Sequence, residues 1–448
     1  MSTSSDAGKI AGLVGLLFGL AAMGSAAVAV TLPAIAADLG LSTGGASWII
    51  SLYALMLAVA TAVYGRVADL AGIRQPLLFG VSLMATGAVL GAVAPSYELL
   101  LCARLLQGSG AAAVPVLGMA IVSARYQGDV RATALGKVAG TAAAVSALGP
   151  LAGGLVAEAF GWRAVVALPA LGLLVVPGLW RSVPTQGTGA RLDLLGAALV
   201  AGTASGLVLL VQSPAAGPLV AIAGAVLLGV GVPMAAARVR HRPEGFLPRA
   251  VVREPVVWRS ALAAAALPAA WFALLIAVPA VLAGRGYSPL QVGLALVPSA
   301  VIGFLAPKVA SPLLVRLGPA RSLVVAGGTA AVALLTASLG ANVGSAVLLV
   351  SAVVLVTFAF GLGQPALMAA VGGAVPADVR GVALGIATLV FLVGGGVGSA
   401  VVGGFGEVVG VGPSLLLLAL LPLAGSLTLV STIRAQSRAT AAAAPHDG

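Results

Sequence analysis

An all-α polytopic membrane protein is predicted by three observations. Apolar residues make up 60% of the 448-residue chain and charged residues only 8%, against roughly half and a quarter in soluble domains. The apolar residues gather into runs long enough to cross a bilayer. The basic residues fall between alternate runs. So few charges exclude a soluble protein, and so much apolar surface excludes a disordered one.

A spanning helix needs about 20 mostly apolar residues. Fourteen such runs lie at 11–37, 46–65, 76–95, 98–124, 133–158, 163–180, 193–212, 217–237, 259–283, 290–315, 322–340, 344–370, 381–406 and 413–433. The first follows Lys9 and ends in small residues, GSAAVA, as a signal peptide does. It reads as a retained span, because that keeps the later charges in phase. With the N-terminus inside, external segments hold only Arg163 and Arg285, and Arg104 and Lys308 fall within spans. The other nineteen of the 23 Lys and Arg are then cytoplasmic. Such asymmetry orients a membrane protein and places both termini in the cytoplasm. It also explains the net charge of +11 without a nucleic-acid partner. The one cysteine, Cys102, excludes an internal disulfide or thiolate metal site and reads as a small packed hydrophobe.

The chain repeats itself. DVRATALG at 129–136 returns as DVRGVALG at 378–385, 249 positions later. A looser pair, LAGIRQPLLFG (70–80) and LGPARSLVVAG (317–327), aligns Gly72 with Gly318. Both pairs are separated by eight spans, an even number, so the repeats share one orientation, as in transporters with parallel halves. This predicts a six-span half over 1–181, a linker with two extra spans and a cytoplasmic loop over 182–258, and a second six-span half over 259–434. A disordered tail is expected over 435–448.

Three motifs carry chemistry. GRVADLAGIRQP (65–76) is a tight turn with Asp69 placed to accept from Arg side chains and from helix-start N–H groups. LLCARLLQGSGAA (100–112) puts Arg104, Gln107 and Gly108 on one face of an apolar helix. An Arg at that depth must face the bundle interior or water. GTAAAVSALGPLAGG (140–154) sets Gly149 and Gly153, and Pro150 and Gly154, one turn apart. Pro150 removes a backbone hydrogen bond and allows a bend.

These stretches resemble the major facilitator superfamily. Gly65, Asp69, Gly72 and Arg74 match its loop signature, with Leu70 and Ile73 in place of basic residues. Leu100, Arg104, Gln107, Gly108, Gly110, Ala111 and Ala112 match a fourth-span motif of drug exporters. Gly140, Gly149, Pro150, Gly153 and Gly154 match the fifth-span motif of drug antiporters. With fourteen spans, the chain looks like the 14-span drug:proton antiporter family, closest to Gram-positive-type tetracycline exporters. The likeness is good over about 45–160 and thin beyond, apart from PADVRGVALG (376–385).

The resemblance implies a major facilitator fold of two six-helix halves plus two inserted helices, and secondary export of drug-like or natural-product molecules by alternating access with proton antiport. The expected gating loops are Gly65, Asp69, Gly72 and Arg74, with Asp129, Arg131, Asp378 and Arg380 from the repeat. Arg104, Gln107, Gly108, Tyr53, Gln364 and Trp271 are the expected cavity residues. Span 13 (385–404) is the expected partner of the span-5 glycines. The expected partners are a small molecule, protons and the lipid bilayer, around a monomer. No metal-ligand cluster, nucleophile–His pair or phosphate-binding loop calls for a cofactor or an enzyme.

The sequence departs from the family in its acids. Gly24, Ser25, Ser146 and Gly395 stand where the resemblance implies carboxylates, and none of the twelve acids lies at mid-span. The second reading is therefore an uncoupled or differently coupled metabolite facilitator on the same fold. A cavity with a buried cation and no anion favours neutral, zwitterionic or anionic compounds.

Overall fold

In the computed structural model, residues 4–180, 183, 193–243, 245–376 and 379–442 are described. Those residues are almost wholly helical. Thirteen helices are long and apolar enough to span a membrane, and one of them, Gly128–Leu179, is 52 residues long. A helix of that length would reach about 78 Å, more than twice the hydrocarbon thickness. It is broken by Gly161, whose φ of 78° and ψ of 171° no helix contains. Two spans result, giving fourteen.

The spans are α1 (Ser4–Leu39), α2 (Thr43–Ala71), α3 (Arg74–Ala92), α4 (Tyr97–Arg125), α5 (128–160), α6 (162–179), α7 (Leu194–Ala216), α8 (Pro218–His241), α9 (Pro255–Ala283), α10 (289–317), α11 (Pro319–Val343), α12 (Ala346–Ala374), α13 (Arg380–Val409) and α14 (411–442). Serines start several of them. Ser42, Ser96, Ser288 and Ser345 each accept a hydrogen bond from a first-turn N–H of α2, α4, α10 and α12. The second helical segment of α14 continues to Ala442, so the tail expected to be disordered from 435 is helical for its first eight residues. Ala and Arg there are strong helix formers. Likewise α9 starts at Pro255, four residues before the expected boundary, because Glu254 caps it.

The packing repeats. α1 packs on α5 as α9 packs on α13, and α3 on α4 as α11 on α12. The repeat extends to backbone detail: Gly72 ends α2 with φ 78° and ψ 178°, and Gly318 ends α10 with φ 76° and ψ 167°. Each donates its N–H back to the carbonyl four residues earlier. Only glycine adopts this conformation without strain.

Helices α1–α6 meet α9–α14 chiefly along two seams, α2 with α13 and α5 with α10, and α1 also touches α9 and α10. Lipid supplies no hydrophobic drive between helices, so close packing of small residues holds them. The α7–α8 pair lies outside this bundle, with α7 against α2 and α13.

Candidate functional site: a buried arginine and two interhelical seams

Arg104 and Gln107 sit one turn apart on α4, and both are fully buried. Arg104 Nε donates to the Ile49 carbonyl of α2 at 2.9 Å, and Nη1 donates to Gln107 Oε1. Gln107 Nε2 donates to the Val166 carbonyl of α6 at 3.3 Å. The guanidinium lies 4.3 Å from the centre of the Tyr53 ring, a cation–π contact strengthened by desolvation. Tyr53 Oη in turn donates to the Ala21 carbonyl of α1 at 2.8 Å. Three helices come this close because of glycine. A methyl group at Gly108 would lie 2.5 Å from the Tyr53 carbonyl oxygen, and one at Gly87 would lie 2.5 Å from the Gln107 nitrogen.

The charge is incompletely answered. Arg104 Nη2 is buried without a hydrogen-bond partner. Ion pairs join Asp6 to Arg125, Asp38 to Arg163 and Asp193 to Arg238, and none of these includes Arg104. A buried cation held only by carbonyls, an amide and a ring retains attraction for an anion.

The other expected cavity residues are not brought to this point. Trp271 joins an aromatic row with Phe360 and Phe391, at centroid spacings of 6.1 and 5.3 Å. Gln364 is exposed on α12. Cys102, expected to be packed, is exposed. It lies two residues from Arg104, about 200° around the helix, and so faces away from the core.

The fifth-span motif lies at a seam. Its helix is interrupted at Leu148, between Gly128–Ala147 and a segment starting at Gly149 with Pro150 in its first turn. A methyl group at Gly154 would lie 2.6 Å from the Pro289 carbonyl oxygen of α10, and one at Gly293 of α10 would lie 2.6 Å from the Pro150 carbonyl oxygen. The partner of this motif is therefore α10, not α13 as its sequence suggested. Gly149 and Gly153 instead face Ala26 and Ala27 of α1, and Gly140 faces open space. α10 is itself interrupted, at Leu296.

The second seam is an antiparallel ladder of α2 against α13. Gly44 N donates to Glu407 Oε1 at 2.6 Å. Ser47 lies against Gly403, where a methyl group would come within 1.8 Å of its Oγ. Ser51 Oγ donates to Ser399 Oγ at 2.9 Å. Sequence reasoning missed the pairing of these α13 residues with α2. Ser47 and Ser51, and Ser399, Gly403 and Glu407, recur every four positions, and that spacing of small and polar residues was the available signal.

Both seams are tight at the arginine-poor end, near Gly44, Glu407, Gly154 and Pro289. At the arginine-rich end, Gly136 and Gly140 of α5 and Gly381 and Gly385 of α13 have open space beside them. Of the gating-loop residues, Gly65 approaches only Val116, and Arg74 stacks its guanidinium 3.7 Å from the Trp180 ring. Asp129, Arg131 and Arg380 are exposed. The Asp69 side chain and all of Asp378 lie outside the described residues. The described acids of the spans stand in their terminal turns, as Asp6, Asp38, Glu98, Asp129, Glu158 and Glu407. No group of His, Cys, Asp or Glu able to hold a metal ion occurs among the described residues.

Residues 14–399 match the Major Facilitator Superfamily. Over 325 residues the chain is 31% identical to the cephamycin export protein CmcT of Amycolatopsis lactamdurans, covering 67% of this chain and 64% of that protein. It is 33% identical over 323 residues to the puromycin resistance protein pur8 of Streptomyces alboniger, covering 68% and 62%. The multidrug resistance protein Stp of Mycobacterium tuberculosis is 38% identical over 152 residues, 33% of this chain and 28% of that protein. The matches thus span less than two thirds of these relatives. Among solved structures, a POT family transporter in complex with 5-aminolevulinic acid superposes with a TM-score of 0.70 at 15% identity, covering 94% of this chain and 95% of that one; this likeness concerns the fold. Fourteen apolar helices, two interhelical seams and a family match across most of the chain make one assignment: the protein belongs to the major facilitator superfamily.

Proposed function

We propose that the protein is a secondary exporter of drug-like or natural-product molecules, working by alternating access and coupled to proton entry. The arginine-rich end is cytoplasmic, as are both termini. Residues 1–181 and 259–434 act as the two rocking halves of a monomer, and 182–258 carry the inserted pair. One observation carries this reading: the seams pack tightly at the arginine-poor end, while Gly136 and Gly140 of α5 and Gly381 and Gly385 of α13 at the other end have open space beside them. That is the arrangement of a transporter open to the cytoplasm and closed outside.

Arg104 is the charge-reading residue. Rocking of the halves at the Leu148 and Leu296 interruptions would expose its free Nη2 to a substrate carboxylate or phosphate. The substrates are then anionic or zwitterionic, and cephamycins, as carboxylated β-lactams, are fitting first candidates. Asp69, Arg74, Asp129, Arg131, Asp378 and Arg380 would latch the cytoplasmic loops when that side closes.

The test is uptake into everted vesicles with and without an acid-inside pH gradient, using a cephamycin, puromycin and tetracycline. Gradient-driven uptake of at least one supports the reading. Uptake that ignores the gradient favours an uncoupled facilitator, a second reading motivated by acids confined to terminal turns. No uptake of any of the three, with the protein verified in the membrane, contradicts drug export.

A further inference from the structure

The inserted helix α7 reaches into the α2–α13 seam with one polar side chain. Gln212 is fully buried. Its Nε2 donates to Ser47 Oγ at 2.7 Å and to the Gly44 carbonyl at 3.3 Å, both on α2. Its Oε1 is buried without a partner. α13 completes the junction from the other side. A methyl group at Gly403 would lie 2.6 Å from Gln212 Nε2, and one at Gly404 would lie 2.6 Å from the Val211 carbonyl oxygen. One turn further on, Glu407 takes the Gly44 N–H. The Gly44 backbone is thus held from different sides, the N–H by α13 and the carbonyl by α7 together with Ser47 Oγ of α2, which donates to it at 2.7 Å.

We propose that Gln212 is a clasp on the external gate, so that the inserted helices act in transport rather than as a lipid-facing addition. Gln212 is a positioning residue: it fixes the first turn of α2 where Glu407 and Gly403 can close on it. The geometry requires all three helices. Moving α2 from α13 breaks the Gly44–Glu407 bond and opens the space that Gln212 fills. The amide is built to release. Its Oε1 has no partner while the seam is shut, and water reaches it once the seam opens, so part of the cost of opening is returned. A leucine of similar size could not hold the closed state in this way.

This inference rests on the alternating-access reading. It is tested by external access to the seam. Ser399→Cys is made in a Cys102→Ser background, which removes the only native thiol. Labelling by a membrane-impermeant methanethiosulfonate is timed from the outside. The clasp predicts slow labelling with Gln212 present and about tenfold faster labelling with Gln212→Leu, as expected when a buried hydrogen bond is removed from only one of two states. Gly404→Ala, which pushes α7 outward, should do the same if Gln212→Leu does not fold. Leu207→Ala, on the exposed side of α7, should leave the rate unchanged. An unchanged rate in folded Gln212→Leu and Gly404→Ala overturns the clasp. Absence of labelling in every variant contradicts external opening itself, and with it the alternating-access reading.

Discussion

Ser51 donates to Ser399 at 2.9 Å across the α2–α13 seam, and both residues are fully buried. The bond joins positions 348 residues apart in the chain. Ser399 also donates onward to the Gly396 carbonyl at 3.0 Å, so its hydroxyl keeps a partner when Ser51 is removed. Ser51→Ala should therefore cost only about 1 kcal/mol and leave transport largely intact. Ser51→Leu should hold the seam apart and abolish transport while the protein still inserts. Thermal stability in detergent and vesicle uptake, measured together, separate the two.

Gly154 and Gly140 belong to one motif but meet different surroundings. Gly154→Ala places a methyl group 2.6 Å from the Pro289 carbonyl oxygen, whereas Gly140→Ala meets nothing within 4 Å in this state. Gly154→Ala should lower uptake by about 5- to 150-fold, as about 1–3 kcal/mol of overpacking would. Gly140→Ala should retain folding, and alanine's helix propensity should raise stability slightly. Loss of stability on Gly140→Ala would contradict the open space beside α5.

Asp193 anchors the base of the α7–α8 pair. It accepts from Gly196 N at 3.0 Å and from Phe246 N at 3.1 Å, and pairs with Arg238 at 2.6 Å. The Arg238 side chain, aided by these N–H groups, holds its pKa at about 2, below the usual 3.8. A lowered carboxylate pKa stabilises the fold above the unfolded value, and that contribution is lost as pH falls through 3.8 toward about 2. Melting in detergent should thus be flat with respect to this group above pH 5 and fall below about pH 4. Asp193→Asn should lower stability by about 1–2 kcal/mol at neutral pH and remove that part of the acid dependence.

Much of this was legible in the sequence, for reasons that differ by element. The spans were readable because twenty apolar residues between charges have few alternatives in water or lipid. The repeat was readable because Gly72 and Gly318 need the same left-handed turn, and the structure gives both that turn. The break at Leu148 followed from Pro150. Helix pairing was not readable. The glycines of α5 suit many small-residue surfaces, and nothing local selects α10 over α13. Gln212 was hidden because a lone amide in an apolar helix resembles any other until its partner on α2 is known. Arg104 stood out as a charge in an apolar run with Gly108 on its face, but its burial also depends on Gly87 of α3, which only the packing brings beside α4.

The most direct measurement is cephamycin uptake into everted vesicles under an acid-inside gradient, comparing the parent protein with Arg104→Ala. The account predicts gradient-driven uptake by the parent and none above background for Arg104→Ala present at the same level in the membrane. Equal uptake by the two would contradict the assignment of Arg104 as the charge-reading residue.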